Sequence, residues 1–264
     1  MEAIIRYLEE RKFSSKQNFY IRKEKISTLL KNNQVHRSLD QYLGEFVYGG
    51  IDGCVTTFAV VAGSVGAGID TSVIIILGFA NLFADGFAMS VGAYLSAKAT
   101  RDNYQKHKNK EIWSVKHMPE SERAEIRDLF SQKGFEGETL EQAVEVICAD
   151  KDRWVDMMMK EELEMQEEKK SPLMIGTVTH LSFVSVGLIP LLAYLYDLFL
   201  GQGIDTFFWS SLLTALGFIL IGALKSYVAQ INVWKSIIET LVLGAIAAVV
   251  AFYVGDVIEH LLLN

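Results

Sequence analysis

Five stretches of this chain are too long and too apolar to be ordinary surface helices. They run over residues 46–69, 72–97, 173–199, 206–224 and 236–258, each near the roughly 20 residues a helix needs to cross the hydrocarbon of a bilayer. Lipid offers no water to a free N–H or C=O, so segments of this kind must be helical. Charge is concentrated elsewhere, in residues 1–45 and 98–171, which is how a chain that is 50% hydrophobic still carries 22% charged residues. The expected fold is an all-α integral membrane protein with an amphipathic arm over residues 1–41, spans one and two over 42–97, a polar helical insert over 98–171, and spans three to five over 172–264. The second apolar window runs into polar sequence with no Pro between, which predicts a single helix projecting beyond the membrane. Gly187 and Pro190 predict a kink in the third.

Basic residues orient the spans. Of the 25 Lys and Arg, 9 precede the first span, 14 lie between the second and third, and Lys225 and Lys235 separate the fourth and fifth. The loops near Asp70 and over 201–205, and the tail after Asp256, contain none. The positive-inside rule therefore places the N-terminus and the insert in the cytosol and the C-terminus outside it. No cleavable leader is expected, since the first 40 residues lack a continuous apolar core, and the first span must direct insertion. Ile4, Ile5 and Leu8, then Ile26, Leu29 and Leu30, recur at helical spacing among basic residues, which suits short amphipathic helices on an anionic lipid surface, on a partner, or merely in solvent. Cys54 and Cys148 fall at different depths and are not expected to pair. The net charge of −7 is largely local, with 18 acidic against 14 basic residues over 98–171, so no nucleic-acid partner is implied. There is no phosphate loop and no dinucleotide fingerprint, so neither ATP use nor an enzymatic cofactor is expected.

Two carboxylates stand inside the first two windows, Asp52 and Asp85. Each costs roughly 3 kcal/mol at membrane depth, so a function is the default explanation. Glu45 precedes Asp52 by seven residues and Met89 follows Asp85 by four, so each pair shares a helix face. A carboxylate binds a divalent cation when ionised and holds a proton when neutral, which is the chemistry of metal–proton exchange. Thioether sulfur favours a transition metal over Mg2+ or Ca2+. Glu45 also reads as an interfacial residue, and Met89 as packing. Gly49, Gly50 and Gly53 flank Asp52 and serve either close helix packing or room for an ion.

The insert reads as three helices broken at Met118–Pro119 and at Gly134–Gly137, the third over about 140–169, kinked near Asp150, with a weak capping signal at Thr139–Gln142. Glu122 and Glu125 are three apart on one helix, and Met158 and Met159 precede Glu162 by four and three, so sulfur and carboxylate can converge. A solvated acidic face is the competing reading. His36, His107, His117, His180 and His260 are scattered and none has a Glu three residues before it, so the Glu-x-x-His pairs of ferritin-like di-iron sites are missing. His180 reads as a packing residue. Glu239 reads as snorkelling to the cytosolic surface or pairing with Lys235.

The stretches DGCVTTFAVVAGSVGAG and FANLFADGFAMSVGAYLSAKA resemble the first two spans of the vacuolar iron transporter family. WVDMMMKEELE is similar to the end of that family's cytosolic metal-binding domain, and GLIPLLAY to its third span. The resemblance covers about residue 42 to the C-terminus. It implies an exchanger of cytosolic Fe2+, and often Mn2+, for protons, assembled as a homodimer. By position it implies a transport path through Asp52, Glu45 and Met89. Asp85 belongs to a variant of the second-span motif found in some branches. In the insert the resemblance implies metal ligands at Glu111, Glu122, Glu125, Met158, Met159 and Glu162. Ser114 stands where the family has a further glutamate, so either Glu120 or His117 substitutes or the cluster holds fewer ions. The expected function is a divalent-metal/H+ antiporter moving metal out of the cytosol, in a bacterial inner membrane or a vacuolar-type one. The competing reading is a membrane-anchored metal buffer or sensor, which would have no need of midplane carboxylates.

Overall fold

The computed structural model describes residues 40–201 and 203–263, all of it helical or connecting. The amphipathic helices expected in the arm lie outside the described residues. Among the described residues nine α-helices follow in order: α1 Leu43–Gly66, α2 Thr71–His117, α3 Pro119–Gln132, α4 Gly137–Cys148, α5 Lys151–Met157, α6 Pro172–Gly187, α7 Leu192–Leu200, α8 Thr206–Ala229 and α9 Val233–Leu263. A π-helical segment, Met158–Glu162, continues α5, and a 3-10 turn, Ile189–Leu191, separates α6 from α7. Five segments are long and apolar enough to cross a membrane: α1, α2, Pro172–Leu200, α8 and α9. The break at Gly187 and Pro190 and the unbroken 47-residue α2 agree with the sequence expectation.

The chain divides into two compact units. The first comprises residues up to Phe83 and from Leu181 onward, and its helices approach through small residues. A Cβ on Gly53 would run into the Phe183 backbone, and one on Gly187 would lie 2.7 Å from the Gly53 carbonyl oxygen. Backbone thus meets backbone where α1 crosses α6, the close approach that glycine permits between membrane helices. A Cβ on Gly50 would touch Ser182 Oγ and Ile221 Cδ1 at 3.0 Å, so packing atoms fill the space beside Gly50 and Gly53. The reading of these glycines as room for an ion is set aside for that reason. Ser182 Oγ donates to the Phe46 carbonyl, and Ser210 Oγ to the Pro190 carbonyl at 2.6 Å, closing polar groups internally. Asp205 caps α8 by accepting from Phe208 N at 3.0 Å, and Gly201, in the left-handed region at φ 57°, ends α7. Most of α9 turns apolar side chains outward, from Val242 and Ile246 to Val257, as a lipid-facing helix does.

The second unit spans Ala84–His180. Ser90 Oγ on α2 donates to the Gly176 carbonyl of α6 at 2.8 Å. Beyond the apolar part of α2, α3, α4, α5 and the π segment build a small core of Tyr104, Val115, Ile126, Val144, Trp154, Val155, Met158 and Met159. Pro119 opens α3 at a position where its missing N–H costs nothing. The expected third helix proves shorter and divided. It begins at Gly137, with Thr139 inside the first turn rather than at a cap. It stops at Cys148 because Asp150 caps a new helix, accepting from Asp152 N and Arg153 N at 3.0 Å each. The α-helix ends at Met157, the π segment that continues it ends at Glu162, and Glu164 at φ 51° turns the chain away. Both cysteines are free.

Candidate functional site

In the first unit, Glu45 and Asp52 lie on α1 two turns apart, both half-buried. Asp52 is ten residues into this 24-residue helix. Thr56 Oγ1 donates to the Asp52 backbone oxygen at 2.9 Å, so the threonine hydroxyl is spent on the helix and leaves the carboxylate to other partners. In the second unit, Asp85 and Met89 occupy successive turns of α2. Asp85 is exposed in the single chain and Met89 half-buried, so the expectation of a buried Asp85 is not met within one copy. Glu239 pairs with Lys225 at 3.0 Å, not with Lys235 as expected. The α8–α9 hairpin brings residues 225 and 239 level.

The helical part of the second unit gathers the remaining candidates. Glu111, Ser114 and Val115 form the inward face of the far end of α2; Glu111 is 5% and Ser114 4% exposed. Across from them, Glu122 on α3 is 6% exposed, and Met158 and Met159 are fully buried. Glu125 and Glu162 are exposed at the rim. Among the described residues no three His, Cys, Asp or Glu side chains form a ready-made ion cage. The glutamates nevertheless feel one another. Burial pushes the Glu122 carboxyl up to about 7, repulsion from Glu125, Glu111 and Glu162 adds to the rise, and a hydrogen bond from Ser114 opposes it. Burial likewise raises Glu111, with Glu125 adding and Lys110 and His107 opposing. Glu162 is raised by desolvation, then by Glu125 and Glu111, with Lys110 opposing. The four glutamates are thus close enough to repel one another, with Met158 and Met159 in the adjoining core and Ser114 buried on the same face of α2 as Glu111.

The two residues suggested in place of a carboxylate at Ser114 both lie at the surface. Glu120 and His117 are exposed, His117 is stacked on Trp113, and its Nδ1 is within hydrogen-bond reach of the Trp113 carbonyl at 2.8 Å. Sequence reasoning also missed the π segment. Leu163 N bonds back to the Met158 carbonyl at 3.1 Å, five residues away, which widens the turn that carries Met158, Met159 and Glu162. Two buried polar atoms of the cluster, Glu122 Oε2 and Trp154 Nε1, have no hydrogen-bond partner. No periodicity signals either feature. The functional clue available was only that Ser114 falls three residues after Glu111, on the same face.

Comparison with known proteins settles the family. The VIT family model matches residues 43–256. The chain belongs to the vacuolar iron transporter family. It is 31% identical over 236 residues to a protein named vacuolar iron transporter from Toxoplasma gondii, covering 87% of this chain and 78% of that one. It is 32% identical over 237 residues to the vacuolar iron transporter of Plasmodium falciparum, covering 87% of each. It is 28% identical over 241 residues to vacuolar iron transporter 1 of Arabidopsis thaliana, covering 91% and 95%. With five apolar helices of spanning length, this member of the family is a multi-pass membrane protein.

Proposed function

We propose that this protein exchanges Fe2+, and also Mn2+, for protons, moving metal out of the cytosol. Its relatives bear the name of iron transporters, and the reading extends that cargo to this chain. The observation that carries it is Asp52, a half-buried carboxylate in the middle of a helix otherwise apolar enough to cross a membrane. A carboxylate there is tolerated when it binds something that crosses. Metal and proton compete for the same oxygens, so each displaces the other according to the pH on the side to which the site is open.

In this reading the N-terminus and the helical insert face the cytosol, as the distribution of Lys and Arg requires. Glu111, Glu122, Glu125, Met158, Met159 and Glu162 collect the cation from solution. Glu45, Asp52, Asp85 and Met89 then pass it through the membrane. Asp85 stands exposed beside Phe83 and Phe87 on α2, a costly arrangement against lipid, which favours a homodimer whose second copy covers it. The protein acts as a transporter and not as an enzyme, in a bacterial inner membrane or a vacuolar-type one.

Flux in proteoliposomes tests the core of the proposal. With an imposed pH gradient, Asp52→Ala should abolish Fe2+ transport and the coupled proton movement, while leaving assembly intact. Undiminished flux in that variant would sink the mechanism. Metal binding without flux in the unaltered protein would favour the buffer or sensor instead.

A further inference from the structure

An apolar cavity of about 430 Å³ opens between α7 and α8, lined by Leu192, Ala193, Tyr196, Ile204, Trp209 and Leu213. Its volume is that of a small-molecule site, and none of the candidate transport residues lines it. Leu192, Tyr196 and Trp209 are 41%, 48% and 46% exposed, so its walls reach the outer surface of the first unit. Both helices belong to segments of spanning length, and what borders such a surface is lipid. Tyr and Trp, each an apolar ring with one polar tip, settle at the level of the headgroups. An acyl chain that enters the hollow leaves surroundings as apolar as those it gains, so the chain itself gives no preference for one lipid over another. Selection falls to the headgroup.

The charges around the cavity have one sign. Asp197 follows Tyr196 and Asp205 follows Ile204, so two carboxylates flank the lining. Gly203 N donates to Asp197 Oδ1 at 2.9 Å, and Phe208 N to Asp205 Oδ1 at 3.0 Å. Each bond uses one of the roughly four lone-pair sites of a carboxylate, which leaves both groups able to accept from a ligand. The Phe207 ring lies 6.3 Å from that of Phe58 and 6.4 Å from that of Phe252, so the last turns of α1 and α9 come to this end and bring Asp70, Asp256 and Glu259 with them. His260 stands 3.8 Å from Asp256 and 3.5 Å from Glu259. Among the described residues of this unit the only Lys or Arg are Lys225 and Lys235, at the opposite turn. A net negative headgroup is repelled here and an ammonium is drawn in. We propose that the cavity holds an acyl chain of phosphatidylethanolamine, whose headgroup ammonium pairs with Asp197 and Asp205 at its mouth. Phosphatidylcholine carries the same charge but has no N–H to donate, and phosphatidylglycerol brings an uncompensated phosphate. The site lies apart from the metal path and does not depend on the cargo proposed above.

Tryptophan quenching by brominated lipid is the test, because bromine on an acyl chain quenches only an indole it approaches closely. The full chain is reconstituted in phosphatidylcholine vesicles containing brominated phosphatidylethanolamine, phosphatidylcholine or phosphatidylglycerol at equal mole fraction, and Trp209→Phe identifies the part of the fluorescence that belongs to the cavity. That part should be quenched by phosphatidylethanolamine with an apparent affinity about threefold above phosphatidylcholine, the gain of a partly exposed ion pair, and least by phosphatidylglycerol. Asp197→Asn with Asp205→Asn, whose side-chain oxygens still accept from Gly203 and Phe208, should erase this order. Equal quenching by phosphatidylethanolamine and phosphatidylcholine in the unaltered protein, or an order that survives the double substitution, would overturn recognition by the two carboxylates. Trp209 fluorescence that none of the three lipids quenches would overturn lipid occupancy altogether, and would mean that protein, such as a second copy, covers the cavity.

Discussion

The two helical units accommodate acidic residues in opposite ways. In the first, Glu45 and Asp52 are placed two turns apart along one helix, and the packing around them is made by backbones brought together at glycines. In the second, acidic residues from α2, α3 and the π segment crowd a core of large side chains, Trp154, Met158 and Met159 among them. A membrane helix gains nothing from burying apolar side chains against others when lipid is equally apolar, so van der Waals fit between backbones has to hold it. A water-exposed bundle has the hydrophobic effect available and uses bulky side chains instead. The same residue type is therefore restrained by shape in one unit and by its neighbours' charge in the other. Substitutions should separate the two regimes.

The largest effect is expected at Gly53. Any side chain there meets the Phe183 backbone, which cannot rotate away as a side-chain tip could. Gly53→Val should prevent α1 and α6 from packing, so that little monodisperse protein survives size-exclusion chromatography in detergent. Normal yield and melting temperature would remove the claim that backbone contact holds this unit. In the second unit the corresponding change is Met158→Ala, which empties a fully buried site. It should cost about 3 kcal/mol, within the usual range for such truncations, and be visible as a lower Tm with the spans still assembled.

The contrast also governs what the sequence makes legible. Spans announce themselves by length and hydropathy, because lipid enforces a helix on any apolar run of that size. The five apolar helices, the unbroken length of α2 and the break at Pro190 were readable for that reason. The helices of the insert were readable only where Pro119 and Gly134–Gly137 interrupt them. The division at Asp150 escaped because its capping bond depends on the chain already having turned there, and the π segment because an i→i+5 bond leaves no compositional trace. Of the candidate site, residue types and spacing identified Glu122, Glu125, Glu162 and the methionines, and the family resemblance added Glu111. Only the fold distinguishes Glu122, buried, from Glu125, at the rim three residues later. Ser114 was visible as a departure from the family pattern, but its burial was not.

Charge crowding predicts a pH response peculiar to the second unit. The Glu122 carboxyl is raised from 4.5 to about 7 in the folded protein, so the folded state binds a proton more tightly than the unfolded chain does. Stability from this group is fully present below the unfolded value and is lost as pH rises through the folded one. Without metal, the Tm of the second unit should therefore fall by roughly a few degrees between about pH 5 and pH 8, and Glu122→Gln should flatten the dependence. Glu111 and Glu162, raised in the same direction, add to the slope. Divalent metal should reverse it, since cation replaces proton on the same oxygens and binds better as pH rises. A Tm that climbs over this range without metal would contradict the picture of a carboxylate group strained by burial and mutual repulsion.

The smallest effect should come from the ion pair that looks most like a clasp in the first unit. Lys225 and Glu239 join α8 to α9 at 3.0 Å, but both side chains remain partly exposed, and pairs of that kind contribute about 0.5 kcal/mol or less after side-chain entropy. The hairpin has stronger fastenings of the sort the spans use throughout. Ser236 Oγ donates to the Gly222 carbonyl at 2.7 Å, Ser226 Oγ to the Ile231 carbonyl at 2.6 Å, and Asn232 accepts from Trp234 N at 2.9 Å. A Cβ on Gly222 would already lie 3.0 Å from Ile237 Cα, so backbone contact continues to this end of the unit. Lys225→Ala should consequently leave Tm and flux nearly unchanged, and less changed still at high salt. A loss comparable to that of Met158→Ala would mean that charge, and not backbone shape, closes the hairpin, and the contrast between the two units would fail at that point.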